Sequence, residues 1–174
     1  MTDWIEVADR GDILRITFDD LLKYHGRHSI GGVAHGLKML QRAFSALSPD
    51  RPPRRGTFTV FTAFPGPGAR DAIEMVTRAV TAGRYTVDTG FEAPSVPEAP
   101  SGRYFFRIGH EGRTIDLGAK PGLVRQEFID ILRQKAAIGL DEAEEARLVE
   151  LKQEMAGRLV AMPAEDVYEV LALS

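Results

Sequence analysis

Cysteine is missing from all 174 residues, which removes disulfides, thiolate metal ligands and thiol redox chemistry together. Histidine, carboxylate and hydroxyl groups are left to carry any chemistry. An excess of positive charge is missing too: 22 Lys and Arg stand against 25 Asp and Glu, giving a net charge of −3 and a pI near 5.8. Charge therefore offers no argument for nucleic acid as a partner. One local basic cluster, Arg51, Arg54 and Arg55, falls in a Pro-rich loop and reads as solvated. No apolar run is long enough to span a bilayer, and Met1 to Glu6 show no basic segment leading into an apolar one. The expected compartment is the cytoplasm, with no membrane contact.

What is present is ordinary for a globular chain, with 44% apolar and 27% charged residues. The length suits one domain over residues 1–174, with residues 120–174 as a C-terminal helical extension of it. Residues 1–16 alternate short apolar groups around the turn signal Asp9 to Asp12 and read as extended. Thr17 with Asp20 three residues on caps a short helix that ends near His25. Ser29 caps a longer helix, in which Ile30, Val33, Leu37, Leu40, Phe44 and Leu47 follow a spacing of three and four. Residues 57–63 are β-branched and aromatic on both faces and read as a central strand. A glycine-proline loop leads from it into a second amphipathic helix over Ala69, Ala72, Ile73, Val76 and Val80.

A short strand near residues 86–90, a Pro-rich loop and a hairpin over residues 104–117 follow. The remainder reads as helical: one helix around Phe128, one capped by Asp141 with Glu144, and a short last one opened by Pro163. The expected class is α+β: a core of helix, strand, helix and three strands in a mixed or antiparallel sheet, then a helical tail.

Three of the four histidines lie between Tyr24 and Gly36, where the first helix turns into the second. His25 and His28 are three apart across that turn, a spacing at which two imidazoles reach one ion at about 2.0–2.1 Å. His35 lies two helical turns beyond His28 and is the third candidate ligand, against a reading as a packed core histidine. His110 falls at the hairpin turn and reads as exposed. Gly31, Gly32 and Gly36 each cost a helix roughly 1 kcal/mol relative to Ala. Their clustering points to another backbone, or a ligand, approaching closely. The loop containing Gly66 and Gly68 places backbone donors at a helix start beside Arg70, so with Ser29, Gly31 and Gly32 it forms a candidate cradle for a small anion. Asp71 is explained by the helix dipole, and Glu74 with Arg78 reads as a pair spaced by four.

Three stretches, Tyr24 to Gly32, Ala69 to Thr77 and Met162 to Val170, resemble the FmdE family, which takes its name from formylmethanofuran dehydrogenase. In order and spacing the similarity runs from about Thr17 to Leu171. The family's first motif is His-Gly-His-x-Cys-Pro-Gly, and its second is a Cys three residues before Asp-Ala-Ile. The resemblance implies an α+β fold, commonly a homodimer, and a metal site, usually taken as zinc, where the two motifs meet. His25 and Gly26 match. The second histidine falls at Arg27, or at His28 with one residue inserted; the first cysteine falls at Ser29 or Ile30; the second-motif cysteine is Gly68. A ligand role thus passes to His25, and with the insertion to His28. Two readings stand side by side: a zinc or other divalent-metal protein, with or without catalysis, and a metal-free dimer holding a small anionic ligand or serving an enzyme complex.

Overall fold

The computed structural model describes residues 3–174, so the first two residues of the expected extended segment lie outside it. The described chain forms an α+β fold of six α-helices and seven strands in two sheets. Strands β1 (Trp4–Asp9) and β2 (Asp12–Thr17) make an antiparallel hairpin. Arg10 and Gly11 turn it with φ of 51° and 100°, the paired positive values of a two-residue hairpin turn. Helix α1 (Phe18–His25) starts at the predicted box: Thr17 accepts from the Asp20 amide at 3.1 Å, and Asp20 accepts from the Thr17 amide at 3.0 Å. Gly26, at φ 87°, stops it.

Helix α2 (Ile30–Leu47) is the axis of the molecule. Its residues from Val33 to Leu40 are buried without a break, so every face of the helix is covered rather than the single apolar stripe that its spacing announces. Strands β5 (Phe105–His110) and β6 (Arg113–Ala119) lie on one side of it, α3 (Pro67–Thr77) on another and α5 (Glu142–Ala161) on a third. The glycines make these approaches possible. A Cβ on Gly31 would sit 2.2 Å from the Met155 methyl of α5, and one on Gly36 2.7 Å from the Ala72 Cβ of α3.

The main sheet has the order β4-β3-β5-β6-β7. Strand β3 (Phe58–Thr62) pairs in parallel with β4 (Tyr85–Val87), which it reaches through α3, and antiparallel with β5. The hairpin β5–β6 forms as expected. Helix α4 (Gln126–Ile138) packs on α5, whose Asp141–Glu144 box is present with both reciprocal bonds.

The end of the chain departs from the helical tail. After the short α6 (Ala164–Val167), residues Tyr168–Leu173 form β7, antiparallel to β6, with Tyr168 completely buried. Residues 168–173 therefore complete the main sheet, which has five strands where four were expected.

Candidate functional site

His25 ends α1, and the packing of α1 against α3 brings its ring to Asp71. The side chain is only 2% exposed, and Nδ1 lies 2.8 Å from Asp71 Oδ2. A carboxylate can only accept, so Nδ1 carries the proton of this bond, which leaves Nε2 as the ring's other polar atom. Among the described residues no group hydrogen-bonds to that Nε2, although it is buried. Asp71 is thus more than a helix-dipole residue: one oxygen holds His25 and the other accepts from Arg70 at 3.1 Å. Arg70 Nη1 is engaged with that carboxylate, and its side chain is half exposed.

His28 lies on the exposed turn after α1, its ring centroid 4.4 Å from that of His25 and tilted by 35°. Its carbonyl accepts from Lys152 Nζ at 2.7 Å, which ties the turn to α5. His35 faces other partners. It is 1% exposed, stacked at 4.6 Å on Tyr104, and its Nδ1 is 2.8 Å from the Tyr168 hydroxyl. The structure therefore brings His25, His28 and Asp71 together and gives His35 a different setting.

Among the described residues no group of three or more His, Asp or Glu side chains is arranged to hold an ion, so they form no closed structural shell. What the turn offers is the orphaned Nε2 of His25, the adjoining His28 imidazole, and Asp71 as the outer partner that orients His25.

The expected anion cradle is corrected in part. Ser29 occupies the N-cap position of α2 but makes no side-chain cap bond; its φ of −131° and ψ of 46° depart from the extended geometry of a capping residue. Gly32 and Gly68 meet backbone to backbone, and a Cβ on Gly68 would lie 2.4 Å from the Ser29 carbonyl oxygen and 2.7 Å from the Val33 amide. The space expected for a ligand there is filled by the helices themselves. Gly31 is covered by Met155. Of the six cradle residues, Ser29, Gly32 and Gly66 instead line a separate cavity of about 190 Å³, together with His35.

His110 and Arg55 have other roles than their positions indicate, and Glu74, which forms the expected pair with Arg78 at 3.8 Å, has a further one. His110 closes β5 at 5% exposure, stacked 4.5 Å from Phe58 with Nδ1 2.7 Å from the Thr57 hydroxyl, and is not an exposed turn residue. Glu74 is 4% exposed and accepts from the Val80 and Thr81 amides at 2.9 and 3.0 Å and from the Thr81 hydroxyl. Burial would raise its pKa, but these bonds with Arg78 hold the carboxyl below its ordinary value. Arg55 is anchored to Asp9 and to the Val76 carbonyl and is not part of a solvated patch.

His35 also sets a pH dependence. Burial, with the Arg158 charge nearby, pulls its pKa from 6.5 down to about 3. Between those values the unfolded chain holds a proton that the native chain lacks, so stability rises with pH and this contribution is complete above about 6.5. In His35→Phe we expect the slope of unfolding free energy over this range to fall by up to about 1.4 kcal/mol per pH unit. Urea melts at stepped pH measure it, and an unchanged slope would refute the assignment.

Nothing in the local sequence marks Asp71 as the partner of His25, 46 residues away, or Tyr168 as that of His35, 133 residues away. A polar residue on the packed side of a helix facing the histidine turn would have been the signal for Asp71. No helix among the described residues is long and apolar enough to cross a membrane. Comparison with protein-family models and with curated proteins returns no match.

Proposed function

We propose that this protein holds a divalent metal ion, zinc first among the candidates, at an open site made by His25 Nε2 and His28, with Asp71 fixing His25 from behind. One observation carries the reading: a histidine side chain 2% exposed donates one nitrogen to a carboxylate and leaves the other, buried, without a protein partner. Leaving a buried polar atom unpaired costs about 1–3 kcal/mol, so a histidine buried for packing alone would use both nitrogens. The resemblance to the FmdE family supports the same position at His25.

When bound, the ion would supply Lewis acidity and acidify a coordinated water. The chain's own residues do the positioning. Asp71 fixes the tautomer and the ring plane, the capped α1 fixes the His25 backbone, and Lys152 fixes the turn that carries His28. Two imidazoles would leave the ion free to bind water or a substrate oxygen. Support for a homodimer, the second part of the proposal, comes from the edge strand β7, where Val170, Leu171 and Leu173 are 36%, 38% and 50% exposed.

The test is metal content per chain by elemental mass spectrometry on untagged protein. Near-stoichiometric zinc, iron or nickel is expected in the native chain and none in the variant carrying both His25→Ala and His28→Ala. Asp71→Asn should weaken metal affinity by about 10–100-fold. A native protein that neither retains metal nor takes up added zinc would end the proposal.

A further inference from the structure

The cavity beside α2 has a chemistry of its own, independent of the metal reading. Its walls are Phe64, Tyr104, Phe128, Leu132 and Met155, and the exposed residues at its rim are Pro65, Pro67 and Ser101. Two glycines shape it. A Cβ on Gly66 would lie 2.3 Å from the Phe64 ring, so only glycine lets that ring fold back as a wall; Gly31 does the same for Met155. No Lys, Arg, Asp or Glu lines it.

Its polar groups are few. His35 lines the cavity with Nδ1 committed to Tyr168, and no group among the described residues hydrogen-bonds to its buried Nε2. The Ser29 hydroxyl, which does not cap α2, is a second, and Tyr104 and Ser101 are the other hydroxyl-bearing residues of the lining. A charged ligand would lose its hydration there with no counter-charge to replace it. A neutral molecule with an apolar body and one hydrogen-bonding head would lose little and would satisfy the imidazole. The volume, about 190 Å³, exceeds the roughly 150 Å³ of a dry cavity that accepts benzene. That leaves space for one ring with a short polar substituent, or an aliphatic of the same bulk.

We propose that this cavity is a binding site for a compact, neutral, largely apolar molecule carrying a single hydroxyl or carbonyl group, which hydrogen-bonds to His35 Nε2. His35 is the selecting residue. Held neutral by its burial, it offers the same hydrogen bond across the physiological pH range.

Benzyl alcohol, toluene and benzoate are suitable probes, titrated separately into the full-length protein and followed by amide NMR. Benzyl alcohol should produce saturable shifts at Gly32, Gly66, Ser101 and Met155 and bind about tenfold tighter than toluene, with benzoate binding more weakly than either. In His35→Phe, which keeps a ring against Tyr104, the advantage of the alcohol over toluene should vanish. Leu132 is half-buried on α4, so Leu132→Trp should fill the cavity without unfolding the chain and abolish binding of both. The proposal is overturned if benzyl alcohol gives no saturable shift, if its shifts map elsewhere or survive Leu132→Trp, or if its advantage persists in His35→Phe.

Discussion

Gly68→Ala is expected to lower the stability of the protein by about 3 kcal/mol, at or beyond the upper end of ordinary overpacking. The new methyl group would meet the Ser29 carbonyl oxygen at 2.4 Å, the Val33 amide at 2.7 Å and the Gly32 carbonyl carbon at 3.0 Å. All three are backbone atoms at the start of α2, so no side chain can rotate to make room. The two helices must separate, and the buried contacts along Gly36, Ala69 and Ala72 loosen with them. The gain in helix propensity, at most about 1 kcal/mol, is too small to offset this.

Gly31→Ala is the control, because its methyl would meet only the end of the flexible Met155 side chain. Urea denaturation of the two variants measures the contrast, and a Gly68→Ala loss below about 1 kcal/mol would refute the backbone-contact argument. The same contact bears on chemistry: a cysteine at position 68 would encounter the same obstruction, so a thiol cannot be placed there without moving α3.

Tyr168→Ala should cost more, about 3–5 kcal/mol from the lost aromatic volume alone. Tyr168 is completely buried, lies edge-on to Phe106 and His35 at 5.8 and 5.9 Å, and bonds His35 Nδ1 through its hydroxyl. Truncation empties the space where β7 joins the core and leaves the imidazole without its partner. For a domain whose whole stability is about 5–15 kcal/mol, that is a large share. Tyr168→Phe separates the two contributions, since it keeps the ring and removes only the hydroxyl, for about 1–3 kcal/mol. Equilibrium unfolding with near-ultraviolet circular dichroism reads both variants. A Tyr168→Ala protein as stable as Tyr168→Phe would show that the ring contributes little and that β7 is dispensable to the core.

The two predictions fall on either side of a line that runs through the whole molecule. The capping boxes at Thr17–Asp20 and Asp141–Glu144, the extent of α2 and the β5–β6 hairpin are all present where the residues announced them. Each rests on groups within a few positions of one another, such as a side chain reaching an amide three residues on, or alternation across one strand. The order of amino acids alone is enough to specify such features. It is also enough to exclude thiol chemistry and to single out the turn at His25 and His28.

The rest depends on distant segments meeting. Strand β7 has only the short stretch Tyr168–Leu173 to declare itself, and it becomes a strand because β6, some fifty residues earlier, offers an unpaired edge. Asp71 becomes the partner of His25, His35 a neutral core group and His110 a buried one because α3, β7 and β3 close over them. The burial and pairing of a polar side chain are properties of the space around it. That space is assembled from elements that no local pattern connects, so only the tertiary structure decides which histidines are left with an unpaired nitrogen.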